Sequence, residues 1–115
     1  MIKIYGIKNC DTMKKAIKWL NDNGVEHELH DYKKAGIDQA TLEQWISQVG
    51  WEVLVNKRGT TWRKLPDSDK DSINEAKATK LMQLHTSMIK RPVLNTGEQL
   101  LVGFKAEEYQ RCLKP

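Results

Sequence analysis

The first twenty residues, MIKIYGIKNCDTMKKAIKWL (1–20), decide the fold, because a strand pattern changes into a helix pattern within them. Ile2 and Ile4 alternate with polar or aromatic residues, as in a short β-strand. The apolar residues that follow recur at the spacing of one helical face: Met13, Ala16, Ile17 and Leu20. Cys10 is therefore predicted to lie at the junction between the first strand and the first helix.

The ends of this helix and the next strand complete a βαβ unit. Asp11 or Thr12 is the expected N-cap, and Asn23-Gly24 supplies a left-handed stop. Residues 25–32 have the alternation of a second strand, and a crossover through the helix predicts that it runs parallel to the first strand.

The rest of the chain predicts a helical insertion and a late hairpin. Asp38 opens a second helix, and residues 51–91 show no strand pattern, so about 37–90 is predicted to be helical with one long loop. Short strands at 93–94 and 100–102 flank a turn, and a helix at 106–113 closes the chain. The prediction is an α/β fold with a mixed sheet of about four strands and helices on both faces.

Composition and charge narrow the class of protein. A chain of 115 residues has the size of one domain, so 1–115 is predicted to be a single domain. No apolar run approaches the roughly 20 residues that span a bilayer, and the start of the chain lacks a secretory pattern, so a cytoplasmic location is expected. The net charge is +4, and the basic residues do not form a concentrated stripe in the sequence. This distribution favours small anions over nucleic acid as ligands.

The two cysteines, Cys10 and Cys112, and the three histidines have no spacing that predicts a disulfide framework or a metal site. Cys10 has two interpretations. Lone cysteines are often inert and buried, whereas the N–H groups and dipole at a helix N-terminus stabilise a thiolate. Lys8, close before Cys10, adds positive potential that favours the reactive form. Cys112, in the last helix beside Leu113, is predicted to be structural.

A second signal is the pair Arg91-Pro92, directly before the third predicted strand. An X-Pro bond at this place can be cis and hold a turn beside a site, but proline is also tolerated as the first residue of an edge strand. The pair alone therefore leaves both interpretations open.

Several motifs together resemble the arsenate reductase (ArsC) family, and most closely its small bacterial branch of Spx and YffB-like proteins. They are IYGIKNCDTMKKAIKWL (4–20), HDYKKAGID (30–38), NKRGTTWRKL (56–65), IKRPVL (89–94) and LVGF (101–104). The resemblance extends over essentially the whole chain and implies a thioredoxin-like (glutaredoxin-like) fold.

The resemblance also implies roles for individual residues. Cys10 matches the catalytic cysteine, and Arg91 matches the arginine that precedes a cis-proline, here Pro92, and faces the thiolate. Arg58 is similar in placement to a second family arginine. Backbone N–H groups of Asp11 and Thr12 are expected to assist in stabilising the thiolate.

Departures from the family pattern bear on the substrate and on how an oxidised Cys10 is reduced. Phe104 and Lys105 stand where arsenate reductases have a third arginine, and Gly6 stands where they have a histidine. Loss of one guanidinium fork weakens oxyanion binding by about 1.5–3 kcal/mol, so arsenate is expected to be a poor substrate. Met13 replaces the second cysteine of the Cys-x-x-Cys switch found in the regulator branch, so an external thiol must resolve an oxidised Cys10.

Two functions from different classes follow. The first is a thiol oxidoreductase in which Cys10 forms a mixed adduct that glutathione resolves, with glutaredoxin as a further expected partner. The second is an Spx-like regulator that binds RNA polymerase. No bound cofactor and a monomeric state are expected.

Overall fold

The computed structural model describes residues 2–7 and 10–113. By internal contacts, the chain divides into two compact units: the first is Met1–Asp31 with Arg91–Pro115, and the second is Tyr32–Lys90. The division corresponds to the predicted insertion, but the second unit begins at Tyr32 and not near residue 37. The prediction of a single domain over 1–115 stays a prediction.

The elements follow the predicted order. The first unit consists of β1 (Ile2–Gly6), α1 (Asp11–Asp22), β2 (His27–Asp31), β3 (Val93–Asn95), β4 (Leu100–Val102) and α8 (Ala106–Leu113). The second unit consists of α2 (Tyr32–Ala35), α3 (Gln39–Val49), α4 (Trp51–Leu54), α5 (Thr60–Arg63), α6 (Asp67–Asp71), α7 (Glu75–Leu84) and a 3-10 turn (Thr86–Met88).

The sheet of the first unit has four strands in the order β2-β1-β3-β4. β1 pairs parallel with β2, and β3 pairs antiparallel with both β1 and β4. The right-handed crossover expected for a βαβ unit and the tight hairpin of the late strands account for this mixed pattern. The predicted thioredoxin-like mixed sheet is therefore confirmed.

The core of the first unit lies on one face of this sheet. Ile4, Leu94 and Leu101 are opposed across three neighbouring strands and are buried. Against them pack buried side chains of two helices: Met13, Ala16 and Leu20 of α1, and Tyr109 of α8. Residues of the opposite face are buried as well, among them Tyr5 and Val93.

The start of α1 differs from the prediction that Asp11 or Thr12 caps it. The N-cap residue is Cys10, with extended backbone (φ −108°, ψ 129°) and no side-chain cap hydrogen bond. The next strand also begins later than predicted, at His27, because the Val25 N–H donates to the Leu20 carbonyl (2.9 Å) and still belongs to the helix end. By contrast, the Asp38 carboxylate caps α3 by accepting from the Thr41 N–H (2.7 Å), as predicted.

In the second unit, residues 55–61 form hydrogen bonds and a β-bridge with residues 87–89, shortly before β3. Val55 and Ile89 form an isolated antiparallel bridge, in a region where the sequence shows no strand pattern. The Asn56 N–H donates to the Met88 carbonyl at 2.7 Å. The hydroxyl oxygens of Thr61 and Ser87 lie 2.6 Å apart, which ties α5 to the same segment. In residues 2–7 and 10–113, no helix is long and apolar enough to cross a bilayer.

The Tyr109 hydroxyl predicts a stabilising substitution. The side chain is buried, and its ring makes edge-to-face contacts with the rings of Trp19 and Phe104, at centroid separations of 5.5 Å and 4.8 Å. Its hydroxyl has no hydrogen-bond partner in the part of the chain that the structure describes. Burial, and then the charge of Glu108, raise the pKa of this phenol. Tyr109→Phe keeps both ring contacts and removes the unsatisfied hydroxyl, so we expect the free energy of unfolding to rise by about 1 kcal/mol.

Urea denaturation of the purified variants measures this effect. Tyr109→Leu is the matched control, because it removes the hydroxyl together with the edge contacts and is expected to destabilise the protein. A lower free energy of unfolding for Tyr109→Phe would show that the hydroxyl has a favourable interaction after all.

Candidate active site

Cys10 lies at the N-terminus of α1, where the helix leaves backbone N–H groups without intrahelical acceptors. Its thiol is free and partly exposed, so a reagent can reach it. β1, an inner strand of the sheet, ends at Gly6, so the cysteine follows the carboxyl end of this strand closely in sequence. The sequence predicts the same junction.

The pKa of the Cys10 thiol lies below its ordinary value. Burial is the largest single influence and acts to raise the pKa, because it disfavours the charged thiolate. Hydrogen bonds from the Met13 backbone N–H, the Arg91 side chain and the Thr12 backbone N–H, together with the positive charge of Arg91, outweigh burial. The site therefore favours the nucleophilic form of the sulfur.

The sheet topology brings Arg91 to Cys10 from the distant end of the chain. β3 runs antiparallel to β1, with Val93 opposite Tyr5, so the start of β3 lies beside the end of β1. Arg91 immediately precedes this strand, and the Arg91–Pro92 peptide bond is cis, as the resemblance implies. Pro92 is buried, and its carbonyl accepts a hydrogen bond from the Gly103 N–H (2.8 Å).

Other residues predicted for the site have different outcomes. Asp11 is exposed at the first helical position, and the N–H groups of Thr12 and Met13 donate to the thiol. A contribution of the Asp11 N–H stays a prediction. Lys8 lies outside the described residues. Arg58 is exposed in the second unit, and its backbone N–H donates to the Asn56 side-chain oxygen (3.2 Å). The action of its guanidinium group on Cys10 stays a prediction.

The basic loop around Arg58 has an internal order of its own. The Lys57 ammonium lies over the ring of Trp62, 5.6 Å from its centroid, in a cation–π arrangement. Arg63 ends the short helix α5 in the same loop. The loop therefore carries exposed cationic side chains, and hydrogen bonds connect its backbone to other residues of the second unit.

Two departures from the family pattern meet beside the cysteine. Gly6 shares the sheet face of Ile4, because side chains alternate along a strand, and α1 covers this face. The buried Met13 side chain occupies the space where a Gly6 side chain would project. Sequence reasoning missed both this contact and the Met13 N–H donor, since a lone glycine and a methionine on a helical face carry no local signal of either.

Cys112 and Phe104 lie near the far end of the chain, where the family pattern has an arginine at the position of Phe104. Cys112 is a free thiol on α8 and packs partly buried against the hydrophobic core. Phe104 follows β4 and turns its ring against Tyr109 (4.8 Å), so this position serves core packing. The structural role of Cys112 stays a prediction.

The chain has a thioredoxin-like fold, its first helix begins at a cysteine, and a cis-proline precedes its third strand. This arrangement is typical of the thiol-based oxidoreductase families. A profile of the ArsC family matches residues 5–112. An uncharacterized protein of Haemophilus influenzae is 49% identical over 110 residues, 96% of each chain. The Spx global transcriptional regulator of Streptococcus mutans is 24% identical over 98% of this chain and 83% of its own.

Solved structures agree with the family match. A protein described as YFFB is 49% identical, with a TM-score of 0.95 over 98% of this chain and 99% of the other. An arsenate reductase (ArsC) related protein from Brucella melitensis is also 49% identical, with a TM-score of 0.78 over 99% and 95%. The chain belongs to the ArsC family.

Proposed function

We propose that the protein is a glutathione-dependent thiol oxidoreductase whose nucleophile is Cys10. The observation that carries this proposal is the convergence of two backbone N–H groups and the Arg91 side chain on one partly exposed sulfur. Membership of the ArsC family supports thiol chemistry at this position. Arg91 is proposed to stabilise the thiolate and to hold an anionic substrate, because guanidinium groups bind anions with fixed geometry.

The proposed reaction needs no second cysteine in the protein. The Cys10 thiolate attacks the glutathione sulfur of a mixed disulfide, the S–S bond breaks, and the released thiolate takes up a proton. A second glutathione thiolate then attacks the adduct, which gives glutathione disulfide and restores Cys10. Met13 at the position of a resolving cysteine supports this external route.

Glutathione suits the charges that the protein offers. Its two carboxylates can pair with cations, and we propose Arg91 as the partner of one of them. Glutaredoxin is a further proposed partner, because it reduces glutathione adducts. Arsenate is not the proposed substrate, because Phe104 packs in the core where the family pattern has an arginine and Met13 fills the space beside Gly6.

Adduct formation tests the proposed nucleophile. The reduced protein is mixed with excess glutathione disulfide near neutral pH, and peptides are analysed by mass spectrometry. We expect one glutathione per chain, attached to Cys10, in the wild type and equally in Cys112→Ser. An adduct that forms faster on Cys112 than on Cys10 would contradict the proposal.

The Spx relative supports a second candidate function, a regulator that binds RNA polymerase. Pull-down with purified RNA polymerase distinguishes the two functions. Stoichiometric binding that is unchanged in Cys10→Ser would favour the regulator, whereas absence of binding together with the glutathione adduct would favour the enzyme.

A further inference from the structure

The contact between Gly6 and Met13 joins the end of β1 to the first turn of α1. A methyl group placed on Gly6 would overlap the Met13 sulfur and would lie 2.8 Å from its Cε and 3.1 Å from its Cγ. Met13 is fully buried, and its side chain must shift if any larger residue replaces Gly6. The observed position of the Met13 side chain therefore depends on glycine at position 6.

The same methionine contributes directly to the site through its backbone. The Met13 N–H is a main-chain donor to the Cys10 thiol, as is that of its neighbour Thr12. The hydrogen-bond strength depends on where the first helical turn lies relative to the sulfur. The Met13 side chain belongs to the same buried cluster as Ile4 and Leu94 of the sheet, which connects this turn to β1 and β3.

We propose that Met13 is a positioning residue for Cys10: its side chain, seated over Gly6, holds the first turn of α1 so that the Thr12 and Met13 N–H groups face the sulfur. This inference rests on the proposed function only in taking Cys10 as the reactive group. On this proposal, the two departures from the family pattern, Gly6 and Met13, act together. The loss of a side chain at position 6 provides the space for the side chain that aligns the donors.

Alkylation of Cys10 tests this role without reference to any substrate. We expect iodoacetamide to modify Cys10 of Met13→Ala roughly three- to tenfold more slowly than the wild type at pH 6, because misaligned donors stabilise the thiolate less. At pH 10 the rates should converge. The conservative Met13→Leu should restore most of the rate at pH 6, since leucine keeps the volume over Gly6.

Leu20→Ala is the matched control. It removes a similar volume from α1 and the same core, and Leu20 is not a donor to the thiol. In the part of the chain that the structure describes, Arg91 is a charged side chain that acts on the sulfur. The exposed Asp11 and Lys14 lie in the same helical turn as Met13. All three stay unchanged in these variants. We expect Leu20→Ala to lose stability with an unaltered pH profile of alkylation. A profile of Met13→Ala that matches Leu20→Ala would overturn the proposal.

A double-mutant cycle keeps the test informative if single variants are unstable. Gly6→Ala alone should displace Met13 and slow alkylation at pH 6, whereas Gly6→Ala with Met13→Ala should be less destabilised than the sum of the two changes. Additive stability changes would refute the pairing. Failure to form a glutathione adduct would refute the proposed function and leave the alkylation result intact, so the two failures are distinguishable.

Discussion

Cys10→Ser is expected to abolish turnover of a glutathione mixed disulfide. A serine hydroxyl has no appreciable anionic form at neutral pH, so the hydrogen bonds that stabilise the thiolate have no nucleophile to act on. The change from sulfur to oxygen is small, and Cys10 is at the edge of the core and only partly buried, so the fold should persist. The measurement is glutathione disulfide production from a small mixed disulfide, coupled to glutathione reductase.

The control for this experiment is Cys112→Ser, which removes the other cysteine of the chain. Its rate is expected to equal that of the wild type, because a thiol packed against the core at the end of α8 takes no part in the proposed exchange. Circular dichroism of both variants verifies that they are folded. Residual turnover in Cys10→Ser at the wild-type rate would exclude Cys10 as the nucleophile.

Arg91→Ala is expected to produce the second-largest effect. Arg91 supplies both a hydrogen bond and a positive charge to the Cys10 thiolate, and a charge-assisted hydrogen bond contributes about 1.5–3 kcal/mol. The fraction of thiolate in the variant should therefore fall roughly tenfold or more at a pH below the Cys10 pKa. Alkylation of Cys10 by iodoacetamide at pH 6 measures this loss.

The pH dependence has a defined sign. The environment lowers the pKa of Cys10, so the wild-type thiolate forms at a lower pH than in an ordinary cysteine, and the alkylation rate reaches its plateau early. Without Arg91 the midpoint should move to higher pH, and both proteins should react alike once Cys10 is fully ionised. The same linkage gives the folded state stability at alkaline pH that is lost as the pH falls through the folded-state pKa.

Two further variants sharpen the assignment to Arg91. Arg91→Lys retains a positive charge but not the planar fork, so its rate at pH 6 should lie between those of the wild type and Arg91→Ala. Arg111→Ala removes an exposed arginine from α8 in the same unit and should leave the profile unchanged. An equal loss in Arg111→Ala would show that net charge, and not contact with the sulfur, controls the reactivity.

Local patterns in the sequence predicted the elements because the forces that specify them act over a few residues. The closing helix has the predicted bounds, Ala106–Leu113, and Asp38 caps α3 as its position suggests. The prediction for the start of α1 was wrong, because a cysteine side chain is not an expected cap and the aspartate beside it competes for that assignment. The resemblance to a family then supplied what periodicity could not, the pairing of Cys10 with Arg91.

By itself, the sequence determined the order of strands and helices, the place of Cys10 between β1 and α1, and the family. Only the tertiary structure decided which N–H groups face the sulfur and how Met13 is seated over Gly6. The physical reason is that element formation depends on neighbours along the chain. Donor alignment at a thiol depends instead on where a helix packs against a sheet, which is set by contacts such as those of Ile4 and Leu94 with α1.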